Sequence, residues 1–177
     1  MKAKLNDWIN ATANLKARRL SLGHVDDNRE LPNPIRDYKS HLIKCGIGKS
    51  VMDVGCGSQF LKTCIPFNVQ YIGVDAFPVD GLDCIECAIE DVKGWEVDTV
   101  CAMAVLDNCR DFDAACQSMK RIARKNVIIL TGLDIEVDQY HTFKLQHGDF
   151  VRNFKDWDQT HYEEIQPKVW LLCYTRK

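Results

Sequence analysis

The chain alternates short apolar segments with polar or helical ones, and this alternation most strongly constrains its fold. Short apolar runs separated by helical segments predict βα units built around a mainly parallel sheet. Apolar residues at helical spacing over residues 111–124 predict a helix between the fourth and fifth strands. The five predicted strands cover residues 50–54, 69–74, 82–87, 99–105 and 126–131.

Two departures from this alternation, at the C-terminus and after the second strand, refine the fold class. Residues 162–165 and 169–174 are separated by only three residues, too few for a parallel crossover, and therefore predict an antiparallel hairpin. Residues 76–81 leave no room for a helix after the second strand, so that connection is a tight loop or the third strand is displaced. We expect an α/β fold: a doubly wound, mainly parallel sheet with a C-terminal antiparallel hairpin and a missing or reduced helix after the second strand.

Residues 1–45 precede the alternating pattern, and we interpret them as a helical extension or lid on a single domain of residues 1–177. Leu5, Trp8, Ile9 and Leu15 recur at helical spacing, which predicts an amphipathic helix. A second helix is predicted from Asn33-Pro34 to about Cys45. Whether the first helix is a lid, an interface or simple packing stays open at this point.

Composition excludes some classes of function. With 23 basic and 25 acidic residues, the net charge of −2 gives no overall field that would attract nucleic acid or an anionic membrane. No leader-like segment and no apolar run of about 20 residues is visible, so we expect a cytoplasmic protein outside the membrane. The nine cysteines are expected to be reduced core residues, and no metal site is predicted.

A glycine turn follows the first predicted strand, and Asp75 ends the second. Glycines at positions 55 and 57 let the backbone approach a ligand closely, and neighbouring strands should bring Asp75 beside them at the carboxyl edge of the sheet. A carboxylate there can accept both hydroxyls of a ribose. Phe60 replaces the third glycine of a dinucleotide fingerprint, and Asp53 suits an ammonium group better than a pyrophosphate. The pattern therefore predicts a cofactor that contains adenosine.

Residues 53–57 together with Asp75 resemble the first two motifs of the class I S-adenosylmethionine-dependent methyltransferases. The similarity extends over about residues 45–133 and includes the segments after the third strand and through the fifth. These further segments are residues 87–91, 97–100, 105–108 and 126–130.

The resemblance implies S-adenosyl-L-methionine as the cofactor. It implies that Asp53 orients the amino group, Asp75 holds the ribose and Glu90 lies near the adenine amino group, since Ala88 stands where many members carry an acid. Arg36 and Tyr38 are candidates to cover the cofactor carboxylate. The implied cofactor-binding residues are Asp53, Gly55, Cys56, Gly57, Asp75, Ala76, Ile89, Glu90, Ala102 and Met103.

The acceptor side is less defined. The Asn/Asp-Pro-Pro-aromatic pattern of adenine and glutamine methyltransferases is absent after strand four, which disfavours a nucleobase acceptor. We expect a small-molecule acceptor ahead of protein or RNA. His141 and Asp107 are the candidate catalytic bases, since both should lie near the carboxyl edge of the sheet. Gln59 replaces the last glycine of the first motif, so a non-catalytic module that binds the cofactor or a partner is the alternative. The oligomeric state is left open.

Overall fold

Residues 1–21 and 34–177 are described by a computed structural model, and within them seven strands form a single sheet. The strands are β1 (Ser50–Val54), β2 (Gln70–Asp75), β3 (Ile85–Glu86), β4 (Val97–Met103), β5 (Ala123–Gly132), β6 (Trp157–Gln166) and β7 (Val169–Arg176). Their order is β3-β2-β1-β4-β5-β7-β6. The first five strands are parallel, and β7 is antiparallel to both β5 and β6. The predicted doubly wound sheet with a C-terminal hairpin is confirmed.

Four α-helices accompany the sheet in the described residues. They are α1 (Leu5–Ser21), α2 (Tyr38–Cys45), α3 (Phe112–Ile122) and α4 (His147–Asn153). The second predicted helix starts later than expected, because a 3-10 turn over Pro34–Arg36 precedes α2 and the Asp37 side chain caps α2 by accepting from Ser40 N. Asn33, the predicted start of the second helix, lies outside the described residues. None of the described helices combines the length and apolarity needed to cross a membrane.

The connection between β2 and β3 is a loop without a helix, as the sequence predicted. β3 pairs parallel with β2 through Val74 and Ile85, but it is only two residues long instead of the predicted 82–87. β4 ends at Met103 because Ala104 adopts a positive φ of 59°. The loop that follows therefore begins earlier than predicted, and it carries the 3-10 turn Leu106–Asn108.

Both faces of the central strands are covered. All five residues of β1 are buried, which explains why this strand is largely apolar and shows no alternation of polar and apolar residues. On one face, α3 packs residues such as Phe112 and Met119 at helical spacing, and the Asp111 side chain caps its first turn by accepting from Ala114 N. On the other face, Tyr38 and Leu42 of α2 join a second cluster. Loops at the carboxyl ends of the strands are therefore left to form a site.

Candidate functional site

The glycine turn after β1 is held against the end of β2. Gly55 and Gly57 have positive φ values of 66° and 49°, which favour glycine. The amides of Gly55 and Cys56 both donate to the Val74 carbonyl, at 2.8 and 3.1 Å. A Cβ atom on Gly55 would overlap the side chain of Val105, so the turn also passes directly beneath the loop after β4.

Gln59 keeps the turn in the conformation that a glycine would favour. Its φ of 60° and ψ of 32° are left-handed, and its side chain is buried. Its Nε2 atom donates to the Asp83 carbonyl at 2.7 Å, which ties the turn to the loop between β2 and β3. Gln59 thus preserves the shape of the turn.

Asp75 lies beside the turn at the end of β2, and it is only 9% exposed. Its Oδ2 atom accepts from Gly57 N at 2.9 Å, and its Oδ1 atom accepts from Phe77 N at the same distance. An ionised carboxylate offers about four acceptor positions, so each oxygen can accept a further hydrogen bond. Asp75 therefore fixes two loops and still has capacity for a ligand.

Two cavities flank the turn and share Gly55. The first, which we call the Asp75 cavity, contains about 660 Å³ of unfilled space, which includes open solvent at its mouth. Ala76, Ile89 and Glu90 line it from the sheet edge, together with Asp75. Its lining combines carboxylate groups with apolar and aromatic side chains, a combination that suits a nucleoside.

The second, the Asp53 cavity, contains about 450 Å³ of unfilled space, which includes open solvent, and is bounded by the turn and Tyr38. Asp53 is 3% exposed and accepts from the Tyr71 hydroxyl at 2.8 Å. Burial raises the pKa of Asp53 to about 7; the Asp75 charge adds to this rise, and the Tyr71 hydrogen bond opposes it. Arg36 also lines this cavity and donates to Tyr38 Oη at 3.0 Å. A carboxyl group and a guanidinium in one cavity can recognise the amino and carboxyl groups of an amino acid.

The other residues predicted from the sequence line the Asp53 cavity, the Asp75 cavity or neither of them. Cys56, Gly57 and Met103 line the Asp53 cavity. Glu90 lines the Asp75 cavity, but its Oε1 atom already accepts from Asp111 N at 2.8 Å. Ala102 is fully buried in the core and lines neither cavity.

The two candidate bases come together. His141 Nε2 lies 3.5 Å from Asp107 Oδ2, and His141 Nδ1 lies 2.8 Å from Asp138 Oδ1. Asp107 is 8% exposed, and this burial raises its pKa, which the nearby His141 partly opposes. Because both ring nitrogens of His141 face carboxylates, one contact must open before His141 can accept a substrate proton. Neither residue lines the two cavities beside the turn.

Sequence reasoning missed the residues that cover the Asp75 cavity. Trp8 of α1 lies over it, with its ring centroid 5.5 Å from that of Phe77 and 5.8 Å from the Arg110 guanidinium carbon. Its spacing in the helix indicated only an apolar face, yet Leu5 and Ile9 are 59% and 42% exposed. Asn108 also lines this cavity; it belongs to the segment 105–108 that resembles the family, but no role had been assigned to it.

Metal and disulfide chemistry find no support in the described part of the chain. No group of three or more His, Cys, Asp or Glu side chains there could hold a metal ion. All nine cysteines are free thiols.

Comparisons with known proteins identify the fold. No known family model matches the chain, and no curated protein is detectably similar in sequence. A magnesium protoporphyrin IX methyltransferase from Synechocystis with bound S-adenosylmethionine has a TM-score of 0.67 and 15% identity, with 100% of both chains covered. A 1,6-didemethyltoxoflavin-N1-methyltransferase from Burkholderia thailandensis has a TM-score of 0.67 and 10% identity, with 100% of this chain and 93% of that chain covered. A SAM-dependent methyltransferase from Aquifex aeolicus has a TM-score of 0.69 and 13% identity, with 89% of this chain and 97% of that chain covered. The chain therefore has the seven-stranded fold of class I S-adenosylmethionine-dependent methyltransferases.

Proposed function

We propose that the chain binds S-adenosyl-L-methionine across the two cavities and transfers its methyl group to a small molecule. The observation that carries this proposal is the placement of different polar groups in the two cavities that share Gly55. Asp75 lies in one adjoining cavity, and Asp53 and Arg36 line the other. This division matches a ligand with a nucleoside at one end and a zwitterionic amino acid at the other.

The residues present fit that cofactor. Asp75 would accept the ribose hydroxyls on its remaining lone pairs, and Ile89 would pack beside the adenine. Asp53 would hold the ammonium group, and Arg36 the carboxylate. Gly55 lines both cavities, and a Cβ atom there would overlap the Val105 side chain, so a larger residue would shift the loop that borders the site.

The mechanism depends mainly on positioning. When bound, S-adenosylmethionine supplies an electrophilic methyl group on a cationic sulfur. The protein's task is to orient the acceptor in line with that bond, and to exclude water. Asp53 must give up its proton to pair with the ammonium group. Where the acceptor carries a proton, Asp107 and the adjacent His141 are the candidate groups to take it; since neither lines the two cavities, the acceptor would have to extend beyond them to reach this pair.

A small-molecule acceptor in the cytoplasm is the form of this proposal that we favour. Two of the compared methyltransferases are named for small molecules, a porphyrin and a toxoflavin precursor. The near-neutral charge of the chain, −2, also argues against a polyanionic acceptor such as RNA.

Calorimetric titration tests cofactor binding. Intact protein should bind S-adenosylmethionine and S-adenosylhomocysteine, and Asp75→Ala should weaken both by about 100-fold or more, since two hydrogen bonds to a charged group are lost. Asp75→Asn keeps the size of the side chain and guards against a folding artefact, because Asp75 also holds Gly57 N. Asp80→Ala, an exposed carboxylate of the same loop, is the matched control and should bind normally. No binding by intact protein would refute the proposal.

A binding module without turnover is the second candidate, and the engagement of both His141 ring nitrogens by carboxylates favours it. Radiolabelled methyl transfer to fractionated small molecules distinguishes the two. Turnover that His141→Ala slows, with unchanged cofactor affinity, supports a catalytic role for this histidine. Cofactor binding without any labelled product would favour the module.

A further inference from the structure

Tyr71 reaches Asp53 from the neighbouring strand by crossing Gly73. In the parallel pairing of β1 and β2, the residue opposite Asp53 is Gly73. Tyr71 precedes Gly73 by two positions and therefore shares its face of β2. A Cβ atom on Gly73 would lie 3.3 Å from the Tyr71 hydroxyl oxygen and 3.0 Å from Cys56 Sγ. The missing side chain of Gly73 thus leaves the space in which the Tyr71 hydroxyl meets Asp53.

This contact gives the two oxygens of Asp53 different surroundings. Tyr71 Oη donates to Asp53 Oδ2 at 2.8 Å. The other oxygen, Oδ1, accepts from no group in the described part of the chain, and it is not enclosed by protein atoms. Since Asp53 lines the Asp53 cavity, Oδ1 is the oxygen left for a ligand there.

The Tyr71 hydroxyl keeps its proton beside Asp53. Burial raises the pKa of Tyr71, and the charge of Asp53 adds to this rise. A hydroxyl that donates to a buried carboxyl group stabilises its ionised form relative to its protonated form. Asp53 is only 3% exposed, so water does little to stabilise its charge. The hydrogen bond from Tyr71 is therefore the contact that offsets burial of the carboxylate.

Other titratable or charged groups face Asp53 or the Tyr71 ring from β2, β4, the segment beside α2 and the turns around the cavity. They are Asp75, Cys101, Tyr38, Arg36, Cys56 and Lys62. Asp75 opposes ionisation of Asp53. Burial raises the pKa of both thiols, so they stay neutral. All of these groups remain when the Tyr71 hydroxyl is removed, so a comparison with Tyr71→Phe reports on that hydroxyl.

We propose that Tyr71 is a positioning residue for the ammonium group of the ligand: it holds Asp53 by Oδ2, presents Oδ1 to the Asp53 cavity and sets the pH at which the carboxylate becomes available. The inference rests on the proposed function, in which this ammonium group belongs to the methionine part of S-adenosylmethionine. Binding then releases the proton that Asp53 carries in the free protein. Sequence reasoning assigned no role to Tyr71.

Calorimetric titration with S-adenosylhomocysteine at pH 7, in two buffers with different heats of protonation, counts the protons released on binding. With a pKa of about 7 for Asp53, the intact protein should release about half a proton per ligand. Loss of a hydrogen bond to a charged group should raise this pKa by about 1 to 2 pH units, so Tyr71→Phe should release about 0.9 proton or more. The same substitution should weaken binding by about 10- to 100-fold at pH 6, but by no more than about 6-fold at pH 8.5.

Two variants control for other effects of the substitution. Tyr174→Phe is the matched control, because it removes a buried hydroxyl that has no hydrogen-bond partner in the described part of the chain and lies outside both cavities. It should release as many protons as the intact protein. Gly73→Ala keeps the Tyr71 hydroxyl but displaces it, and its proton count should lie between those of the intact protein and Tyr71→Phe.

A double substitution distinguishes positioning through Asp53 from a packing role of Tyr71. Asp53→Asn removes the titrating group, so it should release no proton on binding. In that background Tyr71→Phe should change the affinity by the same factor at pH 6 and at pH 8.5. A packing role alone would give that uniform factor with Asp53 present as well.

The outcomes separate the two proposals. Failure of the intact protein to bind S-adenosylhomocysteine would overturn the proposed function and this inference together. Binding by the intact protein without proton release, or with the same proton count in Tyr71→Phe, would overturn the inference alone. So would an effect of Tyr71→Phe on the pH dependence that persists in the Asp53→Asn background. If Tyr71→Phe did not fold, an unchanged proton count in Gly73→Ala would overturn the inference.

Discussion

Replacing Asp53 with asparagine should make the protein more stable at alkaline pH. The carboxyl group is buried and has a pKa of about 7, whereas the unfolded chain has a value near 3.8. Between these two pH values the folded state holds a proton that the unfolded state has released. Stability therefore falls as pH rises through this window, and it reaches its lower limit above pH 7.

The size of the effect follows from the two pKa values. Their difference corresponds to about 4 kcal/mol of lost stability at pH 8, since a tenfold change in proton affinity is worth about 1.4 kcal/mol. About 2 to 3 kcal/mol of this loss should occur between pH 5 and pH 8. The asparagine amide would stay neutral at every pH and can still accept from the Tyr71 hydroxyl. The free energy of unfolding of Asp53→Asn should therefore rise relative to that of the intact protein by about 2 to 3 kcal/mol between pH 5 and pH 8.

Urea unfolding at pH 5, 6, 7 and 8 measures this difference. Asp98→Asn is the matched control, because Asp98 is also buried but its pKa is lowered by the hydrogen bond from Lys49 N. Asp98 is ionised in both states across the range, so its replacement should cost the same stability at every pH. If Asp53→Asn and the intact protein gave parallel stability curves, the electrostatic reasoning for Asp53 would be refuted.

Substitutions at three further positions test the turn and a buried histidine. Gly55→Ala should lower the free energy of unfolding by about 2 kcal/mol or more and abolish cofactor binding, since its φ is positive and its Cβ atom would overlap Val105. Gln59→Gly should be about 1 kcal/mol more stable than Gln59→Ala by calorimetry, because both lose the bond to Asp83 and only glycine relieves the left-handed backbone. Burial lowers the pKa of His41, so the contribution of His41 to stability should fall as pH drops below 6.5, opposite in sign to the contribution of Asp53. The melting temperature of His41→Gln relative to that of the intact protein should therefore rise from pH 7 to pH 5.

The sheet and the turn could be predicted because their signals are local. β1 is buried on both faces, and its residues are apolar apart from Ser50 and Asp53. The approach of Asp75 to Gly57 also followed from sequence, since adjacent parallel strands bring their carboxyl ends to one edge. The length of the connection after β2 was enough to exclude a helix there.

The cover of the site could not be predicted in the same way. The position of Trp8 over the Asp75 cavity depends on contacts with Asn108 and Arg110, about 100 residues away in the sequence. Helical spacing groups Trp8 with Leu5, yet the structure leaves Leu5 exposed. The contact between His141 and Asp107 likewise depends on the loop after β5, which folds back on the loop after β4. Such long-range contacts leave no periodic signal.

The most direct test of cofactor binding is calorimetric titration of the intact protein with S-adenosylhomocysteine, repeated at pH 6 and pH 8. We expect one molecule to bind per chain. The affinity should be higher at pH 8, because the ammonium group requires an ionised Asp53 and the pKa of Asp53 is about 7. Absence of binding at both pH values would contradict the assignment of the two cavities to a single S-adenosylmethionine site.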